Sequence, residues 1–215
     1  SWMFLEVDRV ADEERLEALR HGLADVLNDV REVVEDTERL RAAARALADE
    51  LEQDPPPLPE EEVRDGAGLL RWLADGHFTF LGYRHYELVE SDAEPALQAV
   101  LASGLGVLRG DSVASRSLAT WPDARTVRSK DLLVLTQASE PSTVHRPVHP
   151  FYVGVKTFDE SGNVTGEHRF LGLFTTTALH EDVLDIPFIE RRVRTVIHNA
   201  GFPMESYSGQ RMLEE

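Results

Sequence analysis

Phe151-Tyr152-Val153-Gly154-Val155-Lys156-Thr157-Phe158 and Glu167-His168-Arg169-Phe170-Leu171-Gly172-Leu173-Phe174-Thr175-Thr176 are two runs dense in β-branched and aromatic residues. Between them, Asp159 to Gly166 contains Ser161-Gly162-Asn163, which supplies the positive-φ positions that a reversing chain needs. The two runs read as an antiparallel hairpin. Just upstream, Lys130 to Ala138 carries Leu132, Leu133, Val134 and Leu135 and reads as a short buried strand. Three antiparallel strands, 130–138, 151–158 and 167–176, therefore follow one another.

Working outward, His77 to Leu88 is a further strand, with Phe78, Phe80, Gly82 and Arg84 on one side and Thr79, Leu81, Tyr83 and His85 on the other. Both sides are partly apolar, which predicts a central position. A helix is predicted from Pro95 to Ser103, followed by Leu105 to Leu108 as a short strand or turn and a polar, irregular stretch from Gly110 to Thr126. Glu60 to Asp75 is predicted helical, with Val63, Ala67, Leu70 and Leu73 on one stripe and Gly76 as its C-cap. Glu181 to Asn199 is predicted helical on Val183, Ile186, Ile189, Val193, Val196 and Ile197, closed by Gly201 and Pro203.

The first quarter of the chain differs. After Asp12, an N-cap candidate, the apolar residues Leu16, Leu19, Leu23, Val26, Leu27, Val30 and Val34 recur at helical spacing, and Leu40, Ala43, Ala44, Leu47 and Leu51 continue the pattern from Thr37 to Glu52. One long helix or two in line satisfy it equally. Asp54-Pro55-Pro56-Pro57-Leu58-Pro59 cannot be helical, because proline lacks the amide donor and clashes with the preceding turn. It reads as an extended spacer and a domain boundary.

These elements predict an α+β fold: an antiparallel sheet with helices on one face, in an order shared by PAS and GAF modules and close in composition to ACT modules, preceded by an acidic helical arm. Residues 1–59 form a strand remnant of an upstream module, from Trp2, Phe4 and Val7, with the arm and spacer. Residues 60–178 form the α+β unit, and residues 179–215 form a C-terminal helix and linker to a next module. The chain opens inside an apolar stretch, Ser1-Trp2-Met3-Phe4, and stops at Glu215 in a helix-like run, which reads as a segment of a longer protein.

Charge and composition narrow the chemistry. The 215 residues carry 39 acids against 22 bases, a net charge of −17, which repels phosphate backbones and anionic lipid heads; neither nucleic acid nor a membrane is expected as a partner. The excess is concentrated in residues 1–65, with 20 acids and 8 bases. With no cysteine there is no disulfide, thiolate metal site or cysteine nucleophile, and no apolar stretch is long enough to span a membrane, so a cytoplasmic location is expected. No glycine loop of the dinucleotide- or phosphate-binding kind is present, so no cofactor is expected to bind this segment. Among eight histidines, His145 and His149 come closest to ligand spacing, but Pro147 and Pro150 forbid the helix that would join them, so no metal is assigned. No serine elbow appears either, and no catalytic residue is assigned. The sheet nevertheless mixes polar and aromatic groups at Tyr83, His85, Tyr152, Lys156, His168 and Arg169. These six residues are the candidates to face a small ligand, although alternation of polar with apolar neighbours equally describes a half-solvated sheet.

Certain stretches are more distinctive. Leu69-Leu70-Arg71-Trp72-Leu73-Ala74-Asp75-Gly76-His77-Phe78-Thr79-Phe80-Leu81-Gly82-Tyr83-Arg84, Gly104 to Arg109, Arg146 to Asp159 and Gly166 to Thr175, with Asp185-Ile186-Pro187 and Tyr207-Ser208-Gly209-Gln210, resemble the N-terminal half of the large bacterial NAD-specific glutamate dehydrogenases. The resemblance runs in order through residues 60–215. It implies a cytoplasmic, homo-oligomeric parent enzyme that converts L-glutamate with NAD to 2-oxoglutarate, ammonia and NADH. It also implies ACT-like and PAS-like modules ahead of a separate catalytic domain, which would hold the NAD and the catalytic lysines. Lys130 and Lys156 are the only lysines here, and neither lies in a glycine-rich dehydrogenase motif. The resemblance thus points to a non-catalytic regulatory or assembly segment, with other domains and subunits of the parent and an amino-acid or metabolite effector as its partners. A purely structural oligomerisation or linker module, or a small hydrolase in its own right, are the alternatives.

Overall fold

The computed structural model describes residues 4, 6, 8–89, 96–110 and 128–199. It opens with a single continuous helix, α1 (Glu13–Gln53), 41 residues long. The Asp12 side chain caps it by accepting from the Arg15 amide at 2.9 Å, and no proline interrupts it before Pro55. The two stretches separated in the sequence reading are therefore one element. After the extended proline segment, α2 (Glu60–Trp72) runs into a widened turn at Leu73–His77. That turn closes where Gly76 adopts φ +103, a conformation costly for any residue with a Cβ.

Six antiparallel strands follow among the described residues: β1 (Phe78–Val89), β2 (Ala96–Ala99), β3 (Leu105–Gly106), β4 (Leu133–Gln137), β5 (Phe151–Phe158) and β6 (Val164–Phe174). Their order in the sheet is β2-β1-β6-β5-β4, with β3 also pairing with β1. The fold is α+β, as the element order predicts. Two short helices close it, α3 (Thr176–His180) and α4 (Ile189–Asn199), with a 3-10 turn at Val183–Asp185 between them.

The hairpin forms with a tighter connection than the sequence suggests. Gly162 supplies the positive φ (75°), the Asp159 carboxylate accepts from the Ser161 and Asn163 amides, and β6 begins at Val164. Residues 95–103 depart from expectation, because the described part is strand β2 followed by a 3-10 turn at Leu101–Ser103. A stretch this short cannot meet the cost of helix nucleation unaided, whereas pairing Ala96–Ala99 with Tyr86–Val89 satisfies its backbone and buries Leu97 on Tyr86. The helix at 181–199 likewise begins only at Ile189, because Pro187 disfavours helical geometry in the residue before it. Of the strand remnant expected from Trp2, Phe4 and Val7, Trp2 and Val7 lie outside the described residues, while Phe4 is exposed and in no strand. Most of the irregular stretch expected from Gly110 to Thr126, and the closing Gly201 and Pro203, also lie outside the described residues.

One face of the sheet, carrying Phe78, Phe80, Phe170, Val153, Val155 and Leu133, packs on α1 and α2 through Leu40, Ala44, Leu47, Leu51, Ala67, Leu70 and Leu73. The core therefore runs across the proline segment and includes the second half of α1. The opposite face carries Leu81, Tyr152, Leu171 and Leu173, and it is covered by Val107, Leu108, Val144 and Val33 of α1. Arg71 joins α2 to α1 by ion pairs with Asp49 and Glu52, and Arg45 of α1 reaches Asp75 at 2.9 Å.

The faces of β1 differ from simple alternation for one reason. The register with β6 shifts between Phe80 and Gly82, so Leu81 is an extra residue, a bulge. Each residue beyond it turns to the face opposite the one that period 2 predicts. Phe78 and Phe80 consequently share the helix-covered face with Tyr83 and His85, while Leu81, Arg84 and Tyr86 lie on the other.

Candidate functional site

Residues directly opposite one another in an antiparallel pair point to the same side, so register assigns each polar group to a face. Tyr83 pairs with Phe170 and His85 with His168, both on the helix-covered side. Arg84 pairs with Arg169, Tyr86 with Glu167, and Lys156 with Glu167, all on the other. The six candidate ligand-facing residues thus divide into two groups: Tyr83, His85 and His168 lie toward the helices, and Tyr152, Lys156 and Arg169 lie on the far face.

The helix-side group is a stack at the edge of the main core. The Tyr83 hydroxyl lies 2.7 Å from His168 Nδ1, and the His85 and His168 rings are parallel with centroids 4.4 Å apart. Burial, helped by the charge of Glu50, raises the Tyr83 hydroxyl to about 12. Burial, reinforced by His85, lowers His168 to about 4, so at neutral pH Tyr83 and His168 form an uncharged hydrogen-bonded pair against which the His85 ring stacks. Parallel rings direct their nitrogens outward in their own planes and not toward a shared point. No group of three or more metal-ligating side chains occurs among the described residues.

The far-side group belongs to a larger buried cluster whose members, Arg84, Tyr86, Tyr152, Lys156, Glu167 and Arg169, are each no more than 1% exposed. Sequence reasoning missed three of them: Arg84, Tyr86 and Glu167. Glu167 is the hub, where Oε1 accepts from the Tyr152 hydroxyl at 2.8 Å and from Arg169 Nε at 3.3 Å. The Arg169 guanidinium lies over the Tyr86 ring, 4.2 Å from its centroid, and 5.1 Å from that of Tyr152. Lys156 Nζ donates to the Ser129 carbonyl at 2.6 Å and to its hydroxyl at 2.7 Å, and Arg84 donates to the Leu108 and Gly110 carbonyls. Burial pushes Tyr152 well above the ordinary phenol value, raises Tyr86 as well, and lowers Lys156 against the pull of Glu167 and Asp131.

Glycines make room for this cluster. A Cβ on Gly154 would sit 2.2 Å from Glu167 Oε1, and one on Gly104 would lie 2.4 Å from the Leu108 carbonyl and 3.0 Å from Arg84 Nη2. Glycine inside a strand marks close approach, and Gly154 in the hairpin is the sequence signal from which the cluster could have been found.

A second buried charge ties α1 to the sheet. Asp36, 1% exposed, accepts from the Gly106 amide at 2.9 Å, from Arg109 Nε at 3.1 Å and from Arg39 at 2.9 Å. Burial alone would raise its carboxyl, but the amide and Arg109 outweigh it and hold the group below the usual range. An open groove of about 360 Å³ lies elsewhere, between α2, β4 and α4, lined by Glu62, Asp131, Leu133, Phe188, Arg191 and Arg192. It contains none of the six candidate residues.

Known proteins match the chain from end to end. Proteins named NAD-specific glutamate dehydrogenase from Halomonas elongata, Pseudomonas aeruginosa and Mycobacterium tuberculosis are 34, 36 and 35% identical to it over 220, 218 and 215 residues, covering all of the chain. The chain is related throughout to one segment of the NAD-specific glutamate dehydrogenases. It spans only 14, 13 and 12% of those three proteins. A family model described as glutamate dehydrogenase, helical motif 1, matches residues 186–215, which include α4. No helix among the described residues is long and apolar enough to cross a membrane.

Proposed function

We propose that this chain is a non-catalytic regulatory or assembly segment of a cytoplasmic, NAD-dependent glutamate dehydrogenase whose reaction converts L-glutamate and NAD to 2-oxoglutarate, ammonia and NADH. The observation that carries the reading is the far face of the sheet, where ionisable side chains are turned to one another and to backbone carbonyls. Tyr152 and Arg169 both engage Glu167, and Lys156 engages Ser129. Groups committed in this way hold a scaffold in a fixed shape. The full-length relation to dehydrogenases many times longer supports a role as one part of such an enzyme, with other domains and subunits as its partners.

Two uses of the scaffold remain within this reading: sensing an amino acid or metabolite in a PAS- or ACT-like manner, and positioning subunits. Isothermal titration of the chain with NAD, L-glutamate, 2-oxoglutarate and a panel of amino acids tests it. Heat from an amino acid identifies sensing, and silence with every compound identifies assembly. Tight binding of NAD, or turnover of glutamate by the chain alone, overturns the reading.

A further inference from the structure

The first half of α1 is the part of the molecule whose sequence pattern exceeds what its own fold uses. Leu16, Leu19, Leu23, Val26, Val30, Val33, Thr37, Leu40, Ala44, Leu47 and Leu51 occupy alternating steps of three and four residues along the whole helix. This 3.5-residue period is the seam of a left-handed coiled coil. From Val33 onward the seam is buried against the sheet and α2, with Val33, Leu40, Ala44, Leu47 and Leu51 in the core. From Leu16 to Val30 the same seam is bare, its residues between 36 and 52% exposed. Leu27 and Val34, which flank it, are exposed as well. A glycine adds a second anomaly. Gly22 lies mid-helix with nothing within 4 Å of a Cβ placed on it, so it costs about 1 kcal/mol relative to alanine without any compensating contact inside the chain.

We propose that this half of α1 pairs antiparallel with the same segment of a second copy of the chain, about a two-fold axis beside His21 and Gly22. In that register Leu16 meets Val26 of the second copy and Leu19 meets its Leu23, each layer occurring twice. Val33 stays in its own core. Sliding the copies one heptad further along would require Val33 to leave it, so this register is the longest overlap the fold permits.

Charge and glycine select the same arrangement. Antiparallel pairing sets Arg15 beside Asp29 of the second copy on both sides of the axis, and Thr143 already orients Asp29 through its other oxygen at 2.7 Å. A parallel pair would instead set Arg15 beside Arg20 twice. The single like-charge approach in the antiparallel pair is Arg20 with its own copy, and each Arg20 is paired within its helix to Glu17 at 3.2 Å. The two Gly22 residues face each other across the axis, where the missing side chains let the backbones approach. The overlap is short, so the isolated chain should dimerise weakly.

This inference gives specific form to the assembly role and rests on it. Its test uses the absence of natural cysteine. Chains carrying Leu19→Cys and Leu23→Cys are oxidised separately and as an equimolar mixture, with sedimentation equilibrium of the unmodified chain alongside. The expected result is a weak monomer–dimer equilibrium, loss of dimer in Leu23→Asp with unchanged helical circular dichroism, and a disulfide dimer at least fivefold more abundant in the mixture than in either single variant. Cross-linking of each variant with itself marks a parallel pair and overturns the proposal. So does a chain that stays monomeric at hundreds of micromolar, or a dimer that ignores Leu23→Asp. None of these results involves NAD or glutamate, so the proposal can fail while the non-catalytic reading stands.

Discussion

Between pH 7.5 and pH 5 the stability of this protein should fall, with His168 as one source of the loss. Burial on the helix-covered side of the sheet, together with the neighbouring His85 ring, lowers the His168 imidazole from 6.5 to about 4. The folded state therefore holds the ring neutral where the unfolded chain would protonate it. Stability from this source is complete above pH 6.5, declines as the pH falls toward 4, and levels off below that. The full difference is worth about 3 kcal/mol, of which about 2 kcal/mol is lost by pH 5. Asp36, held below the usual carboxylate range by the Gly106 amide and Arg109, takes up its proton below that window. Urea unfolding of the natural chain and of His168→Gln at pH 7.5 and pH 5.0 isolates the contribution. The natural chain should lose about 2 kcal/mol more than the variant on acidification. Proton NMR should place the His168 midpoint near 4, well below ordinary histidine. A midpoint near 6.5, or equal losses in the two proteins, would refute the argument that this ring is held neutral by its surroundings.

Asp36→Ala should cost about 2–4 kcal/mol in denaturant unfolding, because it leaves the Gly106 amide and Arg109 without their shared acceptor. Gly154→Ala drives a methyl group toward Glu167 Oε1, 2.2 Å from the new Cβ, and should lower stability by about 1–3 kcal/mol while displacing the Tyr152–Glu167 hydrogen bond, read as a change in near-ultraviolet dichroism. Leu40→Ala empties a fully buried position where α1 meets the sheet and should cost about 2–5 kcal/mol; a loss under 1 kcal/mol would mean that α1 is not part of the core.

Most of the sheet was legible because its strands are written in residues with few other uses. Val153, Val155, Phe170 and Leu171 sit in runs whose β-branched and aromatic density admits little but strand, and Gly162 marked the reversal between them. The illegible parts have separate physical causes. Ala96-Leu97-Gln98-Ala99 is composed of good helix formers, and only the edge of β1 beside it makes it a strand. The bulge at Leu81 is one residue in twelve, yet it moves every later side chain of β1 to the other face. The bulge sets Tyr83 and His85 on the face opposite Tyr152, Lys156 and Arg169, while His168 and Arg169, being neighbours in one strand, part by alternation alone. Arg84 and Glu167 look like ordinary solvated charges in a linear sequence; only register shows that they meet in the interior. In α1 the periodicity was plain, but nothing local distinguished the half that would find a core from the half that would not.

The unbroken helix also has a mechanical consequence. Its second half is clamped by packing and by Asp36, while its first half, 18 residues from Glu13 to Val30, projects for about 27 Å as a stiff rod. A tilt of about 5° at the clamp would carry the far tip through roughly 2–3 Å. Small repacking beneath the sheet would thus be amplified with distance, like the pointer of a balance.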